Sequence, residues 1–220
     1  MIRINKLLGD DINKVNREAT AKPVKISIEL FEVLQTGIDY CKLSKGTFDI
    51  TIDDSNAPSG YEKLVLNEKA QTVRFAAASM QLNLGGIAKG YAIDKAVEIM
   101  KRKGARGGLV DAGGVIRCFG RTARGSSWFV SLGKIKSYDD ANENGMVLKL
   151  KDCAAAARPD GVTIIAQRAV DAEVIATAVS AMGPEKGLEL VDSLLGVEAI
   201  IATEGNVIKT DGAESYIAED

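Results

Sequence analysis

The stretch Gln81-Leu-Asn-Leu-Gly-Gly-Ile-Ala-Lys-Gly-Tyr-Ala-Ile-Asp94 reads as a short strand, a double-glycine turn, and a helix running to about Lys103. A helix N-terminus offers backbone N–H groups without acceptors and a partial positive charge, so it attracts anions. Gly85 and Gly86 would let a ligand come close to the backbone. Lys89 is the odd residue, because a cation in the first helical turn opposes the helix dipole. A phosphate lying between the turn and Lys89 would resolve that conflict. A tight strand-to-helix turn with a solvated lysine accounts for the same residues.

Working outward, four further stretches follow a recognisable order. These are Lys22-Pro-Val-Lys-Ile-Ser-Ile-Glu-Leu-Phe31, Leu43-Ser-Lys-Gly-Thr-Phe-Asp-Ile-Thr51, Gly108-Leu-Val-Asp-Ala-Gly-Gly-Val-Ile-Arg117 and Ala172-Glu-Val-Ile-Ala-Thr-Ala178. With the glycine-lysine segment they resemble the ApbE family of flavin transferases over most of residues 13–190. The resemblance implies an enzyme that moves FMN from FAD onto a Thr or Ser of an acceptor flavoprotein and releases AMP. Water in place of the acceptor would give FAD hydrolysis to FMN and AMP.

Carried over residue by residue, the resemblance implies FAD contacts from Thr47, Phe48, Asp49, Asn83, Gly85, Gly86 and Lys89. It implies Mg²⁺ held by Glu173, Thr177 and the Gly86 carbonyl, with Lys89 and Asp49 as the catalytic pair. Glu173 stands where the family has Asp, and Asn83 where it usually has Asp. Val115 follows the Gly113-Gly114 pair where Asp or Asn is common. The family's Met-Gly-Thr segment near the start is missing. So is its His-x-x-Asp-Pro-x-Thr-Gly stretch, in whose place lies Lys151-Asp-Cys-Ala-Ala-Ala-Ala-Arg-Pro-Asp-Gly161. The chain also skips a segment after Ile52. These departures define the rival readings: a catalytically weak or inactive homologue that binds FAD or another nucleotide, and a pseudo-enzyme that binds no flavin.

Composition narrows the chemistry independently. The 220 residues suffice for a substantial core, and 46% apolar with 26% charged residues is an ordinary globular balance. A net charge of -2 gives no reason to expect nucleic acid as a partner. No run is long and apolar enough for a transmembrane segment. The N-terminus lacks signal-peptide features, so the chain as written reads as cytoplasmic, whereas a trimmed leader would make it exported. Cys41, Cys118 and Cys153 lack metal-type spacing and are expected as buried thiols. The chain contains no histidine, which excludes a Ser-His-Asp triad and any His-ligated zinc. Acid–base work falls to Asp, Glu, Lys, Tyr or Cys, and a metal site would be built from oxygen.

The expected fold is α+β, with mixed, mainly antiparallel sheets packed with helices in one domain over 1–220. Helices are expected at about 10–18, 27–43, 87–103, 170–182 and 184–194. Lys63–Asn67 and Thr72–Ala76 alternate as a hairpin, and strands are expected at 108–111, 115–119, 128–132, 146–150, 162–166, 197–202 and 206–209. Residues 53–60 and 134–144 read as loops. Glu173 and Thr177, four apart, share one helix face. The dipole argument further expects Lys89→Ala to leave stability almost unchanged.

Overall fold

The computed structural model describes residues 4–53, 57–58, 60–132, 146–203 and 206–218. The loop expected at 134–144 and part of that at 53–60 lie outside the described residues. Within the span expected as one domain, the packing separates two compact units, Met1–Ala88 and Lys89–Asp220.

The first unit begins with helix α1 (Ile4–Glu18), followed by β1 (Val24–Lys25) and α2 (Ile28–Leu43). Ser27 caps α2, its hydroxyl accepting from the Leu30 N–H at 3.3 Å. Leu30, Phe31, Leu34 and Cys41 form an apolar stripe that is buried, joined by Val33 and Gly37, while Ile38 on the same face is only partly covered. Gly37 is required by packing, since a Cβ there would stand 2.8 Å from Ile50. β3 (Leu64–Asn67) and β4 (Thr72–Phe75) form the expected hairpin, and β1 adds to β4 to give a three-stranded antiparallel sheet. β2 (Thr51–Ile52) pairs antiparallel with β5 (Gln81–Leu82), the strand of the glycine-lysine segment.

The second unit is built on a six-stranded antiparallel sheet in the order β13-β12-β11-β10-β7-β6. Its strands are β6 (Gly107–Asp111), β7 (Val115–Gly120), β10 (Ala154–Ala157), β11 (Val162–Ala166), β12 (Glu198–Thr203) and β13 (Asn206–Lys209). A separate ribbon pairs β8 (Trp128–Ser131) with β9 (Val147–Leu150). The helices are α3 (Ala88–Arg102), α4 (Ala169–Met182) and α5 (Pro184–Asp192). Successive strand residues face opposite sides. Ala155 joins Leu148, Leu150, Cys153, Ile165 and Ile200 in one core layer. Ala154 and Ala156 therefore turn to the other face, where α4 packs on β10 and β11. Alanine leaves room for a helix to lie close to the sheet. α4 itself is buried from Ala172 to Ala176, an interior helix that is apolar over this stretch except for Glu173.

Mixed helices and antiparallel sheets are thus the observed class. Three strands were not expected from the sequence: β1 and β2, only two residues long each, and β10, whose four alanines carry little strand propensity.

Candidate functional site

In the first unit the Thr47–Asp49 segment follows the C-terminus of α2. The helix ends through Lys45 and Gly46 at positive φ (52° and 81°), with the Gly46 N–H donating to the Cys41 carbonyl at 2.8 Å. Ser44, buried, accepts from the Phe48 N–H at 3.0 Å, and Phe48 is a core residue. Thr47 is exposed. Asp49 clamps the loop: Oδ1 accepts from the Thr51 N–H (2.8 Å) and hydroxyl (2.7 Å), Oδ2 from the Tyr61 N–H (3.2 Å). A carboxylate has about four lone-pair sites, so among the described residues one on Oδ2 is left over.

The β5–α3 turn is also tied locally. The Asn83 N–H donates to the Ile50 carbonyl at 2.8 Å, and the Asn83 side chain accepts from the Gly85 N–H at 3.0 Å. Asn83 thus satisfies one of the amides expected to face a phosphate. Neither Gly85 nor Gly86 lies at positive φ, so their use is compactness rather than a left-handed backbone.

In the second unit Lys89 and Gly90 form the first turn of α3 beside Glu173. Glu173, 3% exposed, accepts from the Gly90 N–H through Oε2 at 2.7 Å. Its Oε1 is ion-paired with Lys89 Nζ at 3.2 Å and accepts no well-aligned hydrogen bond among the described residues. Glu173 therefore does not face water. Burial raises its pKa above the ordinary carboxylate value, a shift opposed by the Gly90 N–H and the Lys89 charge. Gly90 is obligatory, since a Cβ there would fall 2.4 Å from the Ala169 carbonyl oxygen and 2.6 Å from Val170 Cα.

Asp94, one turn further along α3, does the converse. Its Oδ1 accepts from the Ala169 N–H at 2.9 Å and its Oδ2 from the Val170 N–H at 3.1 Å, the opening amides of α4. Arg117 on β7 donates to Oδ1 at 2.6 Å. Burial again raises the carboxyl pKa, against the pull of the two amides and Arg117. Sequence reasoning missed Asp94, although a signal was there: Gly90, Ile93, Asp94 and Val97 form the buried stripe of an amphipathic helix, and a carboxylate belongs there only with partners.

Thr177 lies one turn beyond Glu173, its hydroxyl donating to the Glu173 carbonyl at 2.9 Å and accepting from Arg158 Nη1 at 3.3 Å. A buried carboxylate oxygen that meets only the Lys89 ammonium among the described residues, and a hydroxyl a turn away, are hard donors of the type Mg²⁺ takes, one or two carboxylates with water and phosphate filling its shell. No group of three Asp, Glu or Cys assembles into a metal site among the described residues. Asp111 accepts from the Gly114 N–H at 3.4 Å across a turn in which Gly113 and Gly114 both have positive φ. That turn serves backbone geometry. Cys41, Cys118 and Cys153 are free, buried thiols, as expected.

An α+β fold in which the Lys89-Gly90 turn of a helix meets a buried carboxylate narrows the class, and comparison with known proteins gives its membership. The ApbE family model matches residues 8–57, 51–157 and 147–201. The chain belongs to the ApbE family. It is 24% identical to the FAD:protein FMN transferase of Treponema pallidum, over 84% of this chain and 68% of that protein. It is 22% identical to the FAD:protein FMN transferase of Haemophilus influenzae, over 90% of this chain and 73% of that protein. Among solved structures it resembles the ApbE protein of Thermotoga maritima (TM-score 0.80, 22% identity, 94% of this chain and 84% of that one). It likewise resembles the flavin transferase ApbE of Vibrio cholerae (TM-score 0.81, 18% identity, 97% and 86%). The structural likeness establishes the fold.

Proposed function

We propose that this chain is an FAD:protein FMN transferase, moving FMN from FAD to a Thr or Ser of an acceptor flavoprotein with release of AMP. The acceptor hydroxyl attacks the FMN-side phosphorus, the P–O bond to AMP breaks, and the hydroxyl proton passes to a base. We assign that base to Asp49, through the lone pair its Oδ2 retains among the described residues. Thr47, Phe48, Asn83, Gly85 and Gly86 are assigned to FAD contact. Lys89, half exposed and anchored on Glu173, supplies fixed positive charge to the phosphoryl oxygens. Glu173 and Thr177, with the Gly86 carbonyl, are the residues assigned to Mg²⁺, which when bound would act as a Lewis acid on those oxygens.

The observation that carries this reading is the Lys89–Glu173 pair within a chain matched by the ApbE family model. Incubation with FAD and Mg²⁺, with and without a threonine-bearing acceptor peptide, followed by separation of FMN, AMP and flavinylated peptide, tests it. Failure of the chain to bind FAD would overturn it. One observation favours a second reading, in which FAD is held with little turnover. The interval where the family carries its histidine stretch is here the alanine strand β10, paired on both edges.

A further inference from the structure

Arg158 opens the turn between β10 and β11. Its backbone is fixed, the Arg158 N–H donating to the Val162 carbonyl (2.8 Å) and the Gly161 N–H to the Arg158 carbonyl (3.1 Å). The guanidinium reaches α4, where Nη1 donates to Thr177 Oγ1 at 3.3 Å. Nε is buried without a hydrogen bond among the described residues, 3.6 Å from the Asp160 carboxylate, which is itself 48% exposed. Arg158 therefore has one charge fixed in place and most of its five N–H groups uncommitted among the described residues.

Thr177 joins this cation to the Glu173 turn of α4, whose carboxylate anchors the second cation, Lys89. Two cations are thus anchored one turn apart on α4, Lys89 on the Glu173 carboxylate and Arg158 on the Thr177 hydroxyl. The half-exposed Asp160 carboxylate offsets the Arg158 charge but leaves most of its N–H groups uncommitted among the described residues, open to an anionic ligand. A planar guanidinium matches phosphate oxygens in a two-pronged way that an ammonium cannot. We propose that Arg158 is a phosphate-binding residue, donating its free N–H groups to the diphosphate of a dinucleotide such as FAD. This inference rests on the FAD reading above.

The test compares the wild-type chain with Arg158→Ala and Arg158→Lys by flavin fluorescence titration, using FAD and, as a probe without phosphate, riboflavin. Removing a hydrogen bond to a charged group should weaken FAD by about ten- to a hundredfold in the alanine variant. The lysine variant keeps the charge but loses the fork, and its loss should be smaller. Riboflavin affinity should not change. Thermal melts establish that each variant is folded; if the alanine variant is not, an FAD-specific loss in the lysine variant carries the inference. Unchanged FAD affinity in a folded Arg158→Ala, with FAD-binding wild type, would overturn the role of Arg158 and leave the FAD reading intact. An equal loss for FAD and riboflavin would also overturn it, by showing that Arg158 only supports Thr177. A wild-type chain that binds no FAD would overturn both.

Discussion

Asp94 and Glu173 each cap the helix that carries the other. Asp94 on α3 accepts from Ala169 and Val170 at the start of α4, and Glu173 on α4 accepts from Gly90 at the start of α3. A carboxylate at a helix N-terminus satisfies amides the helix leaves open and is favoured by the dipole, by up to about 2 kcal/mol when partly buried. The exchange locks the register of the two helices, and with it the approach of Lys89 to Glu173. Carboxylates buried this deeply are tolerable only because each keeps its N–H partners and a cation, Arg117 for one and Lys89 for the other.

Gly90→Ala should destabilise the chain. Alanine would gain roughly 1 kcal/mol in helix propensity, but its Cβ would collide with the α4 backbone, and overpacking typically costs about 1–3 kcal/mol. Because the clash is with main chain rather than a flexible side chain, the higher part of that range is expected. The midpoint of urea unfolding is the readout, and an unchanged or higher midpoint would disprove the close helix contact.

Raised carboxyl pKa values at Glu173 and Asp94 set a pH dependence. The folded chain holds these protons more tightly than the unfolded one, so the stability they contribute falls as pH rises above the ordinary values of 4.5 and 3.8 and through the raised ones. Glu173→Gln removes one titration. The stability advantage of wild type over this variant should therefore shrink with rising pH, as measured by melts from acid to neutral. An advantage that grows with pH would mean that the partners, not burial, dominate the Glu173 shift.

Lys89→Ala should weaken FAD binding and also lower stability at neutral pH. This corrects the expectation drawn from the helix dipole alone, which left stability almost unchanged. The lysine gains nothing from the dipole, yet it is the counter-charge of a carboxylate that is 4% exposed at its side chain. Loss of the partner strands a buried charge. The destabilisation should diminish at acid pH, where Glu173 takes up a proton. Equal melting of wild type and variant at neutral pH would show that the ion pair contributes nothing.

FMN and AMP formation should be slow relative to a longer ApbE enzyme, even where FAD binds, and should fall further when EDTA removes Mg²⁺. Phosphoryl transfer depends on positioning and charge stabilisation, and a displacement of about 1 Å can cost on the order of a hundredfold in rate. The chain lacks histidine, and β10 takes the interval where the family's His-x-x-Asp-Pro stretch is expected. Rapid flavinylation of a threonine peptide would show those segments to be dispensable.

Local rules in the sequence determined most of the elements. The Ser27 cap and the stripe from Leu30 to Cys41 specified α2, the alternation around Glu68–Gln71 specified the β3–β4 hairpin, and Pro184 marked the start of α5. Such signals act over a few residues and need no knowledge of distant neighbours. The ordered motifs likewise carried the family. Tertiary structure alone decided what those motifs do for one another. Ala154–Ala157 became a central strand because β7 and β11 supply its hydrogen bonds and α4 needs a flat, shallow face to pack on. Asp94 meets Ala169 and Val170, 75 and 76 residues away, Gly90 meets Glu173 across 83, and Arg158 meets Thr177 from another element. No spacing in the chain encodes such meetings, because they depend on how far each helix slides on the sheet before its buried polar groups find partners.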